Sequence, residues 1–274
     1  MRIPWKKIIC ISITMVIAFM SNIPAQDTTL TFADLLFSQG HYQDAAVEYM
    51  RILYTDPEVV KPRLHLNLAR CFLEQKDYPH ARSFLDAASP PAGEMAEEKA
   101  LLKARLYLEQ EQYPLVIESL EGVSVSQALA WKGYSYVKLD STGKALPLLE
   151  QVPADDPLYN TTGKLVKLIR EPHPYRKKSY AAAGLLSLIP GAGHIYTGRT
   201  GDAVYTMLLV GIFGGLTYFY HDNGSNGRAI AAGTVCGLFY SGSIYGAIVG
   251  VRLFNRAEKQ KFQKQADEIF RSDH

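Results

Sequence analysis

Apolar positions fall into three regimes along the 274 residues. From Ile8 to Ala25 no charge interrupts them. From about residue 28 to 170 they return at helical spacing, with charged positions between them. Leu68, Ala69 and Phe72 sit at i, i+1, i+4, and Ala45, Tyr49 and Ile52 at i, i+4, i+7, so each set shares one face of a helix. From residue 179 to 254 the only charges are Arg199, Asp202, Asp222, Arg228 and Arg252. The pattern predicts an all-α chain. A short apolar leader is followed by amphipathic helices and then by helices that are apolar all round.

The middle regime repeats. Gly40-His41-Tyr42-Gln43-Asp44-Ala45 returns as Lys76-Asp77-Tyr78-Pro79-His80-Ala81 and as Glu111-Gln112-Tyr113-Pro114-Leu115-Val116. It returns more loosely as Ser141-Thr142-Gly143-Lys144-Ala145. A second column of small residues runs through Ala33, Ala69, Ala104 and Gly133, with the same irregular period as Ala45, Ala81, Val116 and Ala145. Small residues at fixed places in a helix pair mark where the backbones cross. Asp56-Pro57 and Asp156-Pro157 close units one and four, because proline cannot continue a helix.

Four units over 28–170, each of two antiparallel helices, resemble degenerate tetratricopeptide repeats. The Tyr-x-x-Ala columns carry the resemblance, while the usual aromatic near the start of the first helix is missing in units one to three. The resemblance implies a short superhelix with a concave face that docks a protein or peptide. It places Asp34, Leu66, Arg70, Leu101, Arg105 and Tyr134 on that face. Arg70 and Arg105, one repeat apart, suit a carboxylate partner. The alternative is that Glu74 and Glu109, four residues on, pair with them.

The uncharged blocks 179–198, 203–221 and 229–251 are each long enough to cross a bilayer, so the expected partners include membrane lipid. Gly211 and Gly215 lie four apart in the second block. Gly233 and Gly237, then Gly242, Gly246 and Gly250, do so in the third. Such strips bring helix backbones together in lipid. The expected use is to close the two helices on each other, with 222–227 as the turn; a homo-oligomer is the alternative. In the first block Pro190, Gly191, Gly193, His194, Tyr196 and Gly198 resemble the Pro-Gly-x-Gly-x-x-Tyr-x-Gly signature of small bacterial membrane-hairpin domains. Pro190 and the glycines break the block, which makes it a kinked crossing or a re-entrant segment.

These blocks define a transmembrane domain over 179–256, a Pro/basic linker at 171–178 and a charged helical tail at 257–274. Three bases before the leader, and Pro24-Ala25 at its end, read as a signal peptide over 1–25. With a basic tail held inside, three crossings leave the repeats periplasmic at the bacterial inner membrane; the alternative is two crossings, which put the tail and the repeats on one side.

Charge and chemistry then exclude classes. Residues 26–171 hold 15 bases against 21 acids, which argues against nucleic acid as a partner. Three cysteines make no disulfide scaffold and no zinc cluster. There is no Gly-x-Ser-x-Gly, HExxH, paired His/Cys ligand set or phosphate loop, so no enzyme activity, cofactor or metal is expected. The expected role is a non-enzymatic, membrane-anchored adaptor. The alternative is a component that assists membrane-protein insertion or transport.

Overall fold

The computed structural model describes residues 25–55, 61–171 and 177–272. The leader and Pro57 lie outside them, as does most of the Pro/basic linker. Among the described residues the chain is all-α, with no strand. It divides into two compact units, up to Val152 and from Pro153 onward.

The first unit holds four helix pairs in a tetratricopeptide-like arrangement. They are α1 (Ala25–Ser38) with α2 (Tyr42–Thr55), α3 (Lys61–Glu74) with α4 (Tyr78–Ala87), α5 (Glu94–Glu109) with α6 (Tyr113–Ser119), and α7 (Ser126–Lys138) with α8 (Thr142–Leu149). Both columns read from the sequence are buried to the last member. Ala33, Ala69, Ala104, Ala45, Ala81, Val116 and Ala145 are fully buried. At Gly133 even a methyl group would come within 2.5 Å of Leu149 Cδ2. The irregular period also has a physical cause, because α6 is only seven residues long and α7 follows soon after.

Each pair turns on one residue in the left-handed region: Gly40, Lys76, Glu111 and Asp140, at φ of 81°, 58°, 57° and 61°. At each turn the left-handed N–H donates three residues back and the next N–H five residues back, as in Gly40 N to Phe37 O and His41 N to Leu36 O. This is the Schellman closure, which satisfies carbonyls left open at a helix end. A side chain in this conformation costs about 1–2 kcal/mol, partly offset by the freedom a glycine loses on folding. Lys76→Gly and Glu111→Gly should therefore each stabilise the repeats by about 0.5 kcal/mol. Denaturant midpoints measure this; a lower midpoint in both would contradict it.

The second unit begins with α9 (Tyr159–Arg170), which the sequence reading had counted with the repeats. It buries Thr161, Thr162, Leu165, Leu168 and Ile169 on one face and packs against the last helix. Next come two short helices, α10 (Tyr180–Leu186) and α11 (Ala192–Thr197). Two long ones follow, α12 (Thr200–Asp222) and α13 (Asn226–Arg271), joined by a turn over Asn223–Ser225. The charged tail is the continuation of α13, and it buries Phe262, Ala266 and Phe270 at four-residue spacing.

Candidate functional site

On the repeats, the face expected to bind a partner is largely engaged with itself. Leu66 is fully buried and Tyr134 nearly so, with its ring edge-on to Tyr113 at 6.2 Å. These two are core residues, which corrects their placement on a binding face. Helix α3 is packed by neighbours on both sides, so the position one turn before its exposed arginine already lies inside the stack. Leu101 is half-buried and Asp34 is exposed. The Asp34 carboxylate accepts from the Tyr49 hydroxyl. Burial, helped by that carboxylate, pushes the Tyr49 phenol well above its usual range.

Arg70 and Arg105 remain at the surface, but both are paired. Arg70 Nη2 lies 2.7 Å from Glu98 Oε1 on α5, not beside Glu74. Arg105 Nη1 donates to Glu74 Oε1 on α3 at 2.7 Å, and Arg105 Nε to Glu109 Oε1 at 2.9 Å. The Tyr78 hydroxyl donates to the other oxygen of Glu109 at 3.3 Å. Hydrogen bonding to Glu74 raises the Arg105 pKa further, against the cost of burial. Two arginines and three carboxylates thus staple the first helices of neighbouring repeats. Only the Arg105–Glu109 pair was visible from within one helix, since the four-residue rule sees nothing across repeats.

In the second unit the signature residues act as packing devices. Gly191 is left-handed, and a Cβ there would lie 2.7 Å from Ala203 O. At Gly193 a Cβ would meet Ser187 Oγ at 2.0 Å, Ala247 Cβ at 2.7 Å and Ala183 O at 2.9 Å. Gly198 caps α11 in the left-handed region. The Tyr196 hydroxyl accepts from Ser179 N at 3.0 Å. The Asn255 side chain grips the backbone of Lys178 twice, accepting from its N–H at 2.7 Å and donating to its C=O at 3.0 Å. His194 is buried against Gly246, whose Cβ position is 3.0 Å from His194 Cε1. Asp202, the acid closest in sequence, pairs with Arg199 at 2.5 Å.

Two expectations change here. The first block is not one continuous helix: α10 and α11 have seven and six residues, each shorter than the roughly 20 that a helical crossing takes. Both short helices pack against the long ones, α11 on α12 and α13 and α10 on α13. The glycine strips also divide. Gly233, Gly246 and Gly250 meet Thr217, His194 and Thr197, whereas Gly211, Gly215, Gly237 and Gly242 have nothing within 4 Å of a would-be Cβ. The helix closure therefore uses only part of the glycine set.

Among the described residues two helices, α12 and α13, are long and apolar enough to cross a membrane. Only 11 % and 22 % of their apolar windows are buried within the structure, whereas a soluble core helix would be mostly buried. Comparison with known families matches residues 36–106 to the tetratricopeptide repeat. No curated protein and no solved structure matches the chain. The match supports the repeat reading from the end of α1 through most of α5, in a family that typically serves as a protein-interaction scaffold and not as a catalyst.

Proposed function

We propose that the protein is a non-enzymatic adaptor whose helical repeats dock a protein or peptide while the α12–α13 hairpin holds them at a bilayer. One observation carries the reading. The repeat helices bury their small columns, whereas the longest helices leave Val204, Leu208, Ile212, Phe219, Leu238 and Tyr245 facing outward. An apolar surface of that extent is costly in water, at about 25 cal/mol per Å². Lipid removes that cost, and extended apolar patches mark such interfaces. The glycines at the break of the first block are contact points filled by neighbouring side chains. That favours an anchor over a pathway through the bilayer.

A hairpin places the repeats and the charged tail on the same side. With the leader acting as an export signal, that side is the periplasmic face of a bacterial inner membrane. Topology reporters inserted at Ser225 and fused after Asp273 test this in cells. The expected result is a cytoplasmic readout at Ser225 and a periplasmic one at the C-terminus. The same compartment at both would overturn the hairpin, and swapped compartments would overturn export of the repeats. The docking role is tested by photo-crosslinkers at Asp34 and Leu101 in living cells. The absence of any crosslinked partner from either position or from the cleft described next would sink the adaptor reading.

A further inference from the structure

The paired arginines leave the expected face neutralised, and the uncompensated positive charge of the repeats lies elsewhere. Lys103 and Arg105 are two residues apart on α5, which puts them on opposite sides of that helix. On the Lys103 side a cleft of about 330 Å³ opens between α5 and α6. Its floor is Tyr107, with Ala96, Ala100 and Leu115 as apolar walls, and Lys99 and Lys103 line it as well. Lys99 is held by the Ala88 carbonyl, to which its Nζ donates at 2.6 Å. Arg82 of α4 lies with its guanidinium 5.3 Å over the Tyr107 ring, next to the cleft. Two cations therefore line a mixed cleft with Arg82 beside it over Tyr107, and Glu118 is the acid among the lining residues. Among the described residues none of the three cations has a carboxylate partner, in contrast to Arg70 and Arg105.

We infer that this cleft is the docking site for an acidic peptide segment, one that seats an apolar side chain against Tyr107 and Leu115 and sets its carboxylates against Lys103, Lys99 and Arg82. The inference rests on the adaptor reading and names the surface and the partner chemistry within it. Charge complementarity selects the occupant. An apolar peptide would leave three cations desolvated without partners, and a basic one would be repelled. The slot is too small for a folded domain and fits one or two side chains of an extended strand. Arg82 is already aligned by the Tyr107 ring, so less side-chain freedom is lost on binding.

The test uses the full chain in lipid nanodiscs and a fluorescein-labelled octapeptide of alternating glutamate and leucine. Binding is read by anisotropy, and the affinity should weaken as salt shortens the reach of the charges. Arg82→Glu with Lys103→Glu should weaken it at least ~10-fold, since two attractions, one at an exposed and one at a half-exposed side chain, become repulsions. Lys144→Glu, a charge reversal on α8 away from the cleft, should leave affinity within ~2-fold. The milder Arg82→Gln with Lys103→Gln should give an intermediate loss and guards against misfolding of the reversed pair. No binding, or equal loss in the α8 control, overturns the cleft. If crosslinks from Asp34 or Leu101 persist in that case, the adaptor reading stands without it; if those vanish too, both fall.

Discussion

Leu66→Ala should cost the repeats about 3 kcal/mol, within the range for emptying a fully buried leucine. Leu66 has no exposed surface at all, and α3 packs against α2, α4 and α5. The loss combines the transfer of the removed side chain with a cavity that three neighbouring helices cannot fully close. Hydrogen exchange on the intact protein measures it locally: amide protection along α3 should fall about a hundredfold. The result also separates two roles for one residue. A groove leucine would change partner affinity and leave exchange untouched, whereas a core leucine changes exchange first.

That residue shows how far the sequence could be read. The eight column positions were legible because a crossing of two backbones favours a short side chain, and seven of them hold Ala or Gly, with Val116 the exception. All eight are buried. Which residues face outward was not legible to the same degree. The residue after each small anchor is exposed or half-exposed in units one to three, at Asp34, Arg70 and Arg105. In unit four Tyr134 is buried, with its ring edge-on to Tyr113 of the preceding unit. Glu98 and Glu74 reach Arg70 and Arg105 from a neighbouring repeat, and no spacing rule within one helix foretells that. The left-handed turns were hidden for a related reason. Only unit one uses glycine; the others hold Lys76, Glu111 and Asp140 against their preference, because the closed helix end outweighs the strain.

The C-terminal third follows the same logic. Proline and glycine spacing announced the break in the first block, but period alone does not say toward what a glycine points. Gly233, Gly246 and Gly250 face protein, and Gly211, Gly215, Gly237 and Gly242 face out, though all seven share the four-residue rhythm. The pairing of α9 with the final helix was likewise beyond reach. Each carries an ordinary amphipathic stripe, and nothing in a stripe names its partner.

Gly193→Ala should disrupt the second unit at a cost of about 3 kcal/mol or more, at the upper end for overpacking. The new methyl would fall 2.0 Å from Ser187 Oγ, 2.7 Å from Ala247 Cβ and 2.9 Å from Ala183 O. Two of these cannot yield. The carbonyl belongs to α10, and Ala247 is a short, fully buried side chain on α13. The third is held too, because Ser187 Oγ donates to Ala183 O at 2.7 Å. Relief therefore requires α11 to leave both neighbours, which would detach the broken block from α13. Thermal unfolding of the detergent-solubilised protein should show a large drop in midpoint, and protease should cut between α10 and α12. Gly211→Ala provides the contrast, since nothing lies within 4 Å of its would-be Cβ and it should be nearly neutral. Ser187→Ala with Gly193→Ala should recover part of the loss, because it removes the closest of the three clashes and the two sites touch. Equal behaviour of Gly193→Ala and Gly211→Ala would mean that the signature glycines do not hold the broken block in place.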